Sequence, residues 1–226
     1  MLFRSILHSH RGPGRRLHAW AEDEASYDAV EKCMSSPALD KIQELEVEFS
    51  YETAVPASFF SSSSPTLRVV QIGRCSISDA TVHGLDFSML KQLGLEFVEI
   101  KSERSFCDMI ACCPVLDCLH MSACYGVKCL RINSPSVRRI GVHNASGGER
   151  IILEQLIIDN APRLETLLHF DDSNLHLSVL YAPKLENLGF CTDSTNIVFD
   201  SDVEVTCIFF YIQVIHKICT ILPNVG

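Results

Sequence analysis

Basic charge is scarce in this chain. Nineteen Lys and Arg face 28 Asp and Glu across 226 residues, a formal charge of -9. Nucleic-acid binding rests on clustered cations that displace counterions from phosphate, so this balance argues against a nucleic-acid partner. A clean membrane span is also missing. The most apolar stretch, Val203 to Leu222, is interrupted by Gln213, His216 and Lys217, short of the roughly 20 apolar residues a bilayer demands. No secretory signal is legible, since the apolar run from Leu2 to Leu7 is short and carries Arg4. No C-x-x-C occurs among the eleven cysteines, so a structural zinc site lacks its usual framework, and neither a metal nor a cofactor is expected. G-x-S-x-G is absent. Gly147-Gly148 lacks the further glycines and the Lys-Ser/Thr ending of a phosphate loop.

Apolar residues make up 47% of the chain and charged ones 21%, the composition of a folded globular protein and too apolar for a disordered one. Eleven cysteines without a secretory signal point to a reducing compartment, cytoplasmic and/or nuclear, with the thiols acting as small buried hydrophobes. Asn144-Ala-Ser146 matches a glycosylation sequon that such a compartment would leave unused. Acid is absent before Glu22, whereas Arg4, Arg11, Arg15 and Arg16 lie there. A basic loop or end-cap explains this better than a transit peptide, because His-Ser-His and Gly-Pro-Gly break any amphipathic helix.

A repeat organises what is present. The pattern apolar-x-x-apolar-x-apolar recurs at Ile42-Leu45-Val47, Leu67-Val70-Ile72, Leu90-Leu93-Leu95, Leu116-Leu119-Met121, Val137-Ile140-Val142, Leu164-Leu167 and Leu185-Leu188-Phe190. The first anchors are separated by 25, 23, 26, 21, 27 and 21 residues, within the roughly 20–29 residues of a leucine-rich repeat. Only His169 stands where an apolar group is due. Pro65, Pro114, Pro135, Pro162 and Pro183 each lie two residues before an anchor. A residue without an N–H suits the entry to a strand. Leu67, Val70, Ile72, Cys75 and Ile77 complete the longer L-x-x-L-x-L-x-x-C-x-L signature, and Cys124 holds the same place after Leu116. These cysteines are expected to point inward.

Each unit thus offers a short strand, and stacked units form a parallel sheet that buries the anchors between neighbours. The expected fold is α/β: a leucine-rich-repeat solenoid with a parallel concave sheet and a mixed convex side of short helix and extended chain. Cys107 to Cys113 reads as a helical turn or two stopped by Pro114. Cys129 to Ile132, Leu156 to Ile158 and Leu175 to Leu180 read as strands. The expected organisation is a basic segment and cap over 1–30, about seven repeats over 31–200, and a divergent apolar tail over 201–226.

Further phrases carry a resemblance. They are Gly12-Pro13-Gly14-Arg15-Arg16, Ser36-Pro37-Ala38-Leu39-Asp40, Cys113-Pro114-Val115-Leu116 and Cys129-Leu130-Arg131-Ile132-Asn133-Ser134-Pro135-Ser136. Ala161-Pro162-Arg163-Leu164-Glu165 and Ala182-Pro183-Lys184-Leu185-Glu186 complete the set. In this order they resemble the repeat region of the plant F-box proteins with leucine-rich repeats. That resemblance implies a protein-binding module, the substrate-recognition part of a Skp-cullin-F-box ubiquitin ligase. The F-box that would bind a Skp-type adaptor is not seen ahead of these repeats, and from Cys207 onward the likeness fades, as in a truncated or spliced product. A stand-alone interaction scaffold is the alternative, and an enzyme is not expected.

If the strands are placed correctly, the residues alternating with the anchors face a protein partner. These are Gln92, Glu96, Cys118, His120, Arg139, His143, Thr166 and Asn187. Cys118 and His120 form the best nucleophile–base pair in the chain, but no orienting group accompanies them, so ordinary surface residues are the better reading. Glu44, Glu46 and Glu48 alternate on one strand face about 7 Å apart, too far for one small cation and suited to a solvated face.

Overall fold

A computed structural model describes residues 14–56, 59–60, 64–144, 150–169, 175–190, 196–199 and 206–209. The expectations placed on Arg4, Arg11, Gly147-Gly148 and most of the tail fall outside these residues.

Along one side of the molecule runs a parallel sheet in the order β1 (Arg16–Ala21), β2 (Glu44–Ala54), β3 (Val69–Ile77), β4 (Gln92–Glu96), β6 (Cys118–Ser122), β8 (Arg139–His143), β10 (Thr166–His169), β12 (Asn187–Phe190) and β14 (Thr206–Phe209). The short β5 (Glu99–Ile100) pairs with the far end of β3. The anchors Leu45, Val70, Leu93, Leu119, Ile140, Leu167 and Leu188 stand in one row, and the register slips only past Glu48, between β2 and β3. All seven are at most 2% exposed. Each such side chain contributes about 1.5–3 kcal/mol on burial. The sheet begins one strand before the first anchor read from sequence, and it continues through Thr206–Phe209.

The backing changes along the array, as the sequence pattern anticipates. Behind the early strands lie α1 (Glu24–Met34), α2 (Asp79–Val82) and α3 (Glu103–Ala111). Asp23 caps α1 by accepting from Ser26 N–H at 2.8 Å, and Ser102 caps α3 by accepting from Ser105 N–H at 3.0 Å. Helix α3 turns Phe106, Met109 and Ile110 into the core, the i, i+3, i+4 stripe of an amphipathic helix. From Cys129 onward the backing is a second parallel sheet, ordered β13 (Asn196–Phe199), β11 (His176–Val179), β9 (Gln155–Asn160) and β7 (Cys129–Asn133).

The prolines act one step earlier than strand entry. Leu116, Leu164 and Leu185 donate their N–H to the carbonyls of Cys113, Ala161 and Ala182. These are i-to-i+3 turns with Pro114, Pro162 and Pro183 at the second position, where a fixed φ is preorganised. Leu39 to Ile42 and Phe87 to Leu90 close the same hydrogen bond without proline. After each turn, one carbonyl of the preceding unit accepts two successive N–H groups. Gln43, Arg68, Lys91, Asp117, Arg138 and Glu165 all do this, which locks each unit to the one before.

Inward thiols behave as the pattern implies. Cys75 and Cys124 are buried, and burial pushes both up to about 12. His169 is fully buried in β10, level with Val142 on β8. The sequon asparagine is structural as well: Asn144 is 3% exposed and donates its amide to Leu153 O at 2.8 Å.

Candidate functional site: the concave sheet face

Three rows of outward side chains cross the main sheet. The first runs Arg16, Glu44, Val69, Gln92, Cys118, Arg139, Thr166, Asn187. The second runs His18, Glu46, Gln71, Gly94, His120, Gly141, Leu168, Gly189, and the third Trp20, Glu48, Gly73, Glu96, Ser122, His143. Five of the eight residues singled out from sequence therefore share the first row, His120 lies in the second, and Glu96 and His143 lie in the third. All eight lie on one side of one sheet, over five consecutive strands.

Two of them differ from free surface groups. Cys118 is only 6% exposed, set in register between the longer Gln92 and Arg139, so its thiol offers a partner little surface. Arg139 is already in an ion pair with Asp117 from the start of the neighbouring unit. Next to it, Arg138 makes a two-pronged pair with Glu165, its Nη2 lying 2.8 and 2.9 Å from the two carboxylate oxygens. The centre of the face is accordingly less basic than its sequence suggests. Burial, with a smaller contribution from His143, holds His120 below its usual range, so its imidazole is neutral at neutral pH. His143 Nδ1 and Ser122 Oγ are 3.3 Å apart.

The first strand changes the acidic end. Sequence spacing leaves Glu44, Glu46 and Glu48 as a terminal row, whereas β1 lies outside it and sets Arg16, His18 and Trp20 alongside. Arg16 pairs with Glu44, His18 Nε2 lies 3.8 Å from Glu46, and Arg74 Nε binds Glu48 at 2.7 Å. Here the face dips into a hollow of about 290 Å³ lined by Arg16, Leu17, His18, Glu44, Leu45, Glu46, Val69 and Gln71. The sequence placed Glu44 and Glu46 on a solvated strand face and Leu45 among the anchors, but the hollow between β1, β2 and β3 escaped it. Val69, small beside Glu44 and Gln92, was the available clue.

Three non-glycine residues take the left-handed conformation: Arg74 (φ 54°) within β3, and Phe97 (φ 51°) and Ala123 (φ 51°) directly after β4 and β6. The Arg74 guanidinium lies 5.0 Å from the Phe97 ring centroid, a cation–π contact between successive turns.

Away from this face, a hollow of about 530 Å³ opens between α2 and α3 and contains Asp79, His83, Arg104, Asp108 and Cys112. Burial and the carboxylates of Asp108 and Asp86 raise the Cys112 thiol above its ordinary value. That is the reverse of what activates a thiolate nucleophile. No group of three or more His, Cys, Asp or Glu fit to hold a metal occurs among the described residues. Nor is any described helix long and apolar enough to cross a membrane.

Stacked short units with a parallel concave sheet and a variable convex side define a leucine-rich-repeat solenoid. The family comparison agrees: residues 30–221 match the model described as "FBD-associated F-box protein At5g56370, LRR repeats". The chain belongs to this leucine-rich-repeat family of F-box-associated proteins, whose role is protein interaction. No curated protein and no solved structure matches it.

Proposed function

We propose that the concave sheet face holds a protein target, and that the chain serves as the substrate-recognition part of a Skp-cullin-F-box ubiquitin ligase receptor. The observation that carries the reading is the shared register of β1 to β12, shifted only past Glu48 between β2 and β3, which aligns outward side chains of differing charge in two rows reaching β12 and a third reaching β8. Such rows give a partner a graded surface: acidic over β2, mixed over β6 and β8, neutral over β10 and β12. On this reading Gln92, Glu96, His120, Arg139, His143, Thr166 and Asn187 are contact positions, with Cys118 supporting from below. The protein binds rather than catalyses, needs no cofactor or metal, and works in the cytoplasm or nucleus. Its eight described cysteines are free thiols, which suits those reducing compartments.

A photo-crosslinking amino acid at Gln92, Thr166 or Asn187 should capture the target, and one at Lys128 or Ser178 on the other side should not. Fusion to an F-box should then bring in a Skp-type adaptor and lead to ubiquitylation of that target. Capture from the convex positions alone would overturn the assignment of the face. A concave-face target that is never ubiquitylated would favour a stand-alone scaffold.

A further inference from the structure

Trp20 is the only tryptophan in the chain, and it stands 62% exposed on the concave side of the outermost described strand. An indole buries 150–250 Å² when it packs, about as much as any side chain can offer. Here that area is left uncovered, while Ala19 and Ala21 on the same strand are buried. The ring is steered by its Nε1, which donates to Ser50 Oγ at 3.3 Å. On the same side stand the carboxylates Glu44, Glu46, Glu48 and Glu96, of which, among the described residues, Glu44 pairs with Arg16 and Glu48 with Arg74. Glu46 is exposed, with His18 Nε2 3.8 Å from its carboxylate. On the far side of β2 the row residues are Val69, Gln71 and Gly73, which bring no charge. Into this step falls the 290 Å³ hollow.

We propose that the β1–β4 end of the concave face receives a basic, extended segment of the protein target, with a Lys or Arg side chain entering the hollow beside Glu46 and the Trp20 ring closing over the segment. The inference rests on the concave face being the binding face and adds the chemistry of what it binds. Negative charge beside an uncovered indole suits a cation twice, by ion pairing and by attraction to the ring face. An acidic segment would meet repulsion from the same carboxylates, so the end selects by sign.

Trp20 supplies its own reporter. The full chain is titrated with a short peptide alternating lysine and alanine, and with a counterpart alternating glutamate and alanine. The lysine peptide is expected to shift Trp20 emission, and its affinity should fall severalfold with added salt. Glu46→Gln with Glu96→Gln should weaken it about fivefold by anisotropy of the labelled peptide, with the melting midpoint unchanged. Equal binding of the glutamate peptide, binding without change at Trp20, or binding of neither peptide would each overturn the proposal. The crosslinked target separates the two readings. A target held on the concave face but indifferent to Glu46→Gln/Glu96→Gln sinks this inference alone, and one that never contacts that face sinks both.

Discussion

Behind β3 and β4 the solenoid is closed by helices, and behind β8, β10 and β12 by a second parallel sheet, yet the concave sheet runs on unchanged across the boundary. Chain length explains how both solutions fit. Nine helical residues rise about 13 Å, and five extended residues about 16 Å, so either crosses the back of a unit. The strand needs fewer residues, and two of the three repeat steps after Leu116 are 21 residues against 23 to 26 before it. The 27-residue step contains the connection from Asn144 to Arg150. Local chemistry selects the form: a Ser102 cap and a helical stripe in α3, consecutive Leu156-Ile157-Ile158 in β9. The concave face is therefore a frame, and the back is free to vary.

The sharpest way to break this comparison lies at the changeover. Gly126 has φ 101°, and a Cβ there would sit 2.5 Å from Ile100 O, a backbone atom. Gly126→Ala should cost more than the roughly 1–3 kcal/mol of left-handed strain alone, read by urea unfolding, because the carbonyl cannot step aside. Next come truncations on either side. Phe106→Ala in α3 and Ile158→Ala in β9, both fully buried, should each lose about 2–5 kcal/mol. A tenfold disparity between the two unfolding constants would show that one half is the weaker partner. Ser102→Ala removes the cap of α3 and should cost about 1 kcal/mol, with hydrogen exchange accelerated in α3 and not in β9.

A fourth test uses protons. Cys75, Cys113 and Cys124 are raised from about 9 to about 12 by burial. A folded value above the unfolded one means the stability is present below pH 9 and lost as pH rises toward 12. Alkaline unfolding should begin above pH 9 and soften in a Cys75→Ala/Cys124→Ala variant. The smallest effect belongs to the surface. Arg138→Ala breaks the exposed pair with Glu165 and should leave the melting midpoint nearly unmoved.

Much of the frame was legible from spacing. The anchors needed only their period, and the switch of the back from helix to strand could be read from proline stops and branched residues. Strand β1 escaped because its inward positions after Leu17 are Ala19 and Ala21, small groups that leave hardly any hydrophobic signal. Arg74, Phe97 and Ala123 gave no hint of left-handed backbone, since the usual marker there is glycine. The site was half legible. Alternation placed eight outward residues on one side, but it could not say that Asp117 neutralises Arg139 or that Cys118 is covered.

What the sequence by itself determined is the period, and with it the solenoid: anchors every 21 to 27 residues can be buried only by stacking. Tertiary structure alone decided the character of the proposed binding face. Residues as distant as Trp20, Glu48 and Glu96 become one row only when three strand pairings fall into register. The charge a partner meets is the sum across strands, a quantity no single repeat contains.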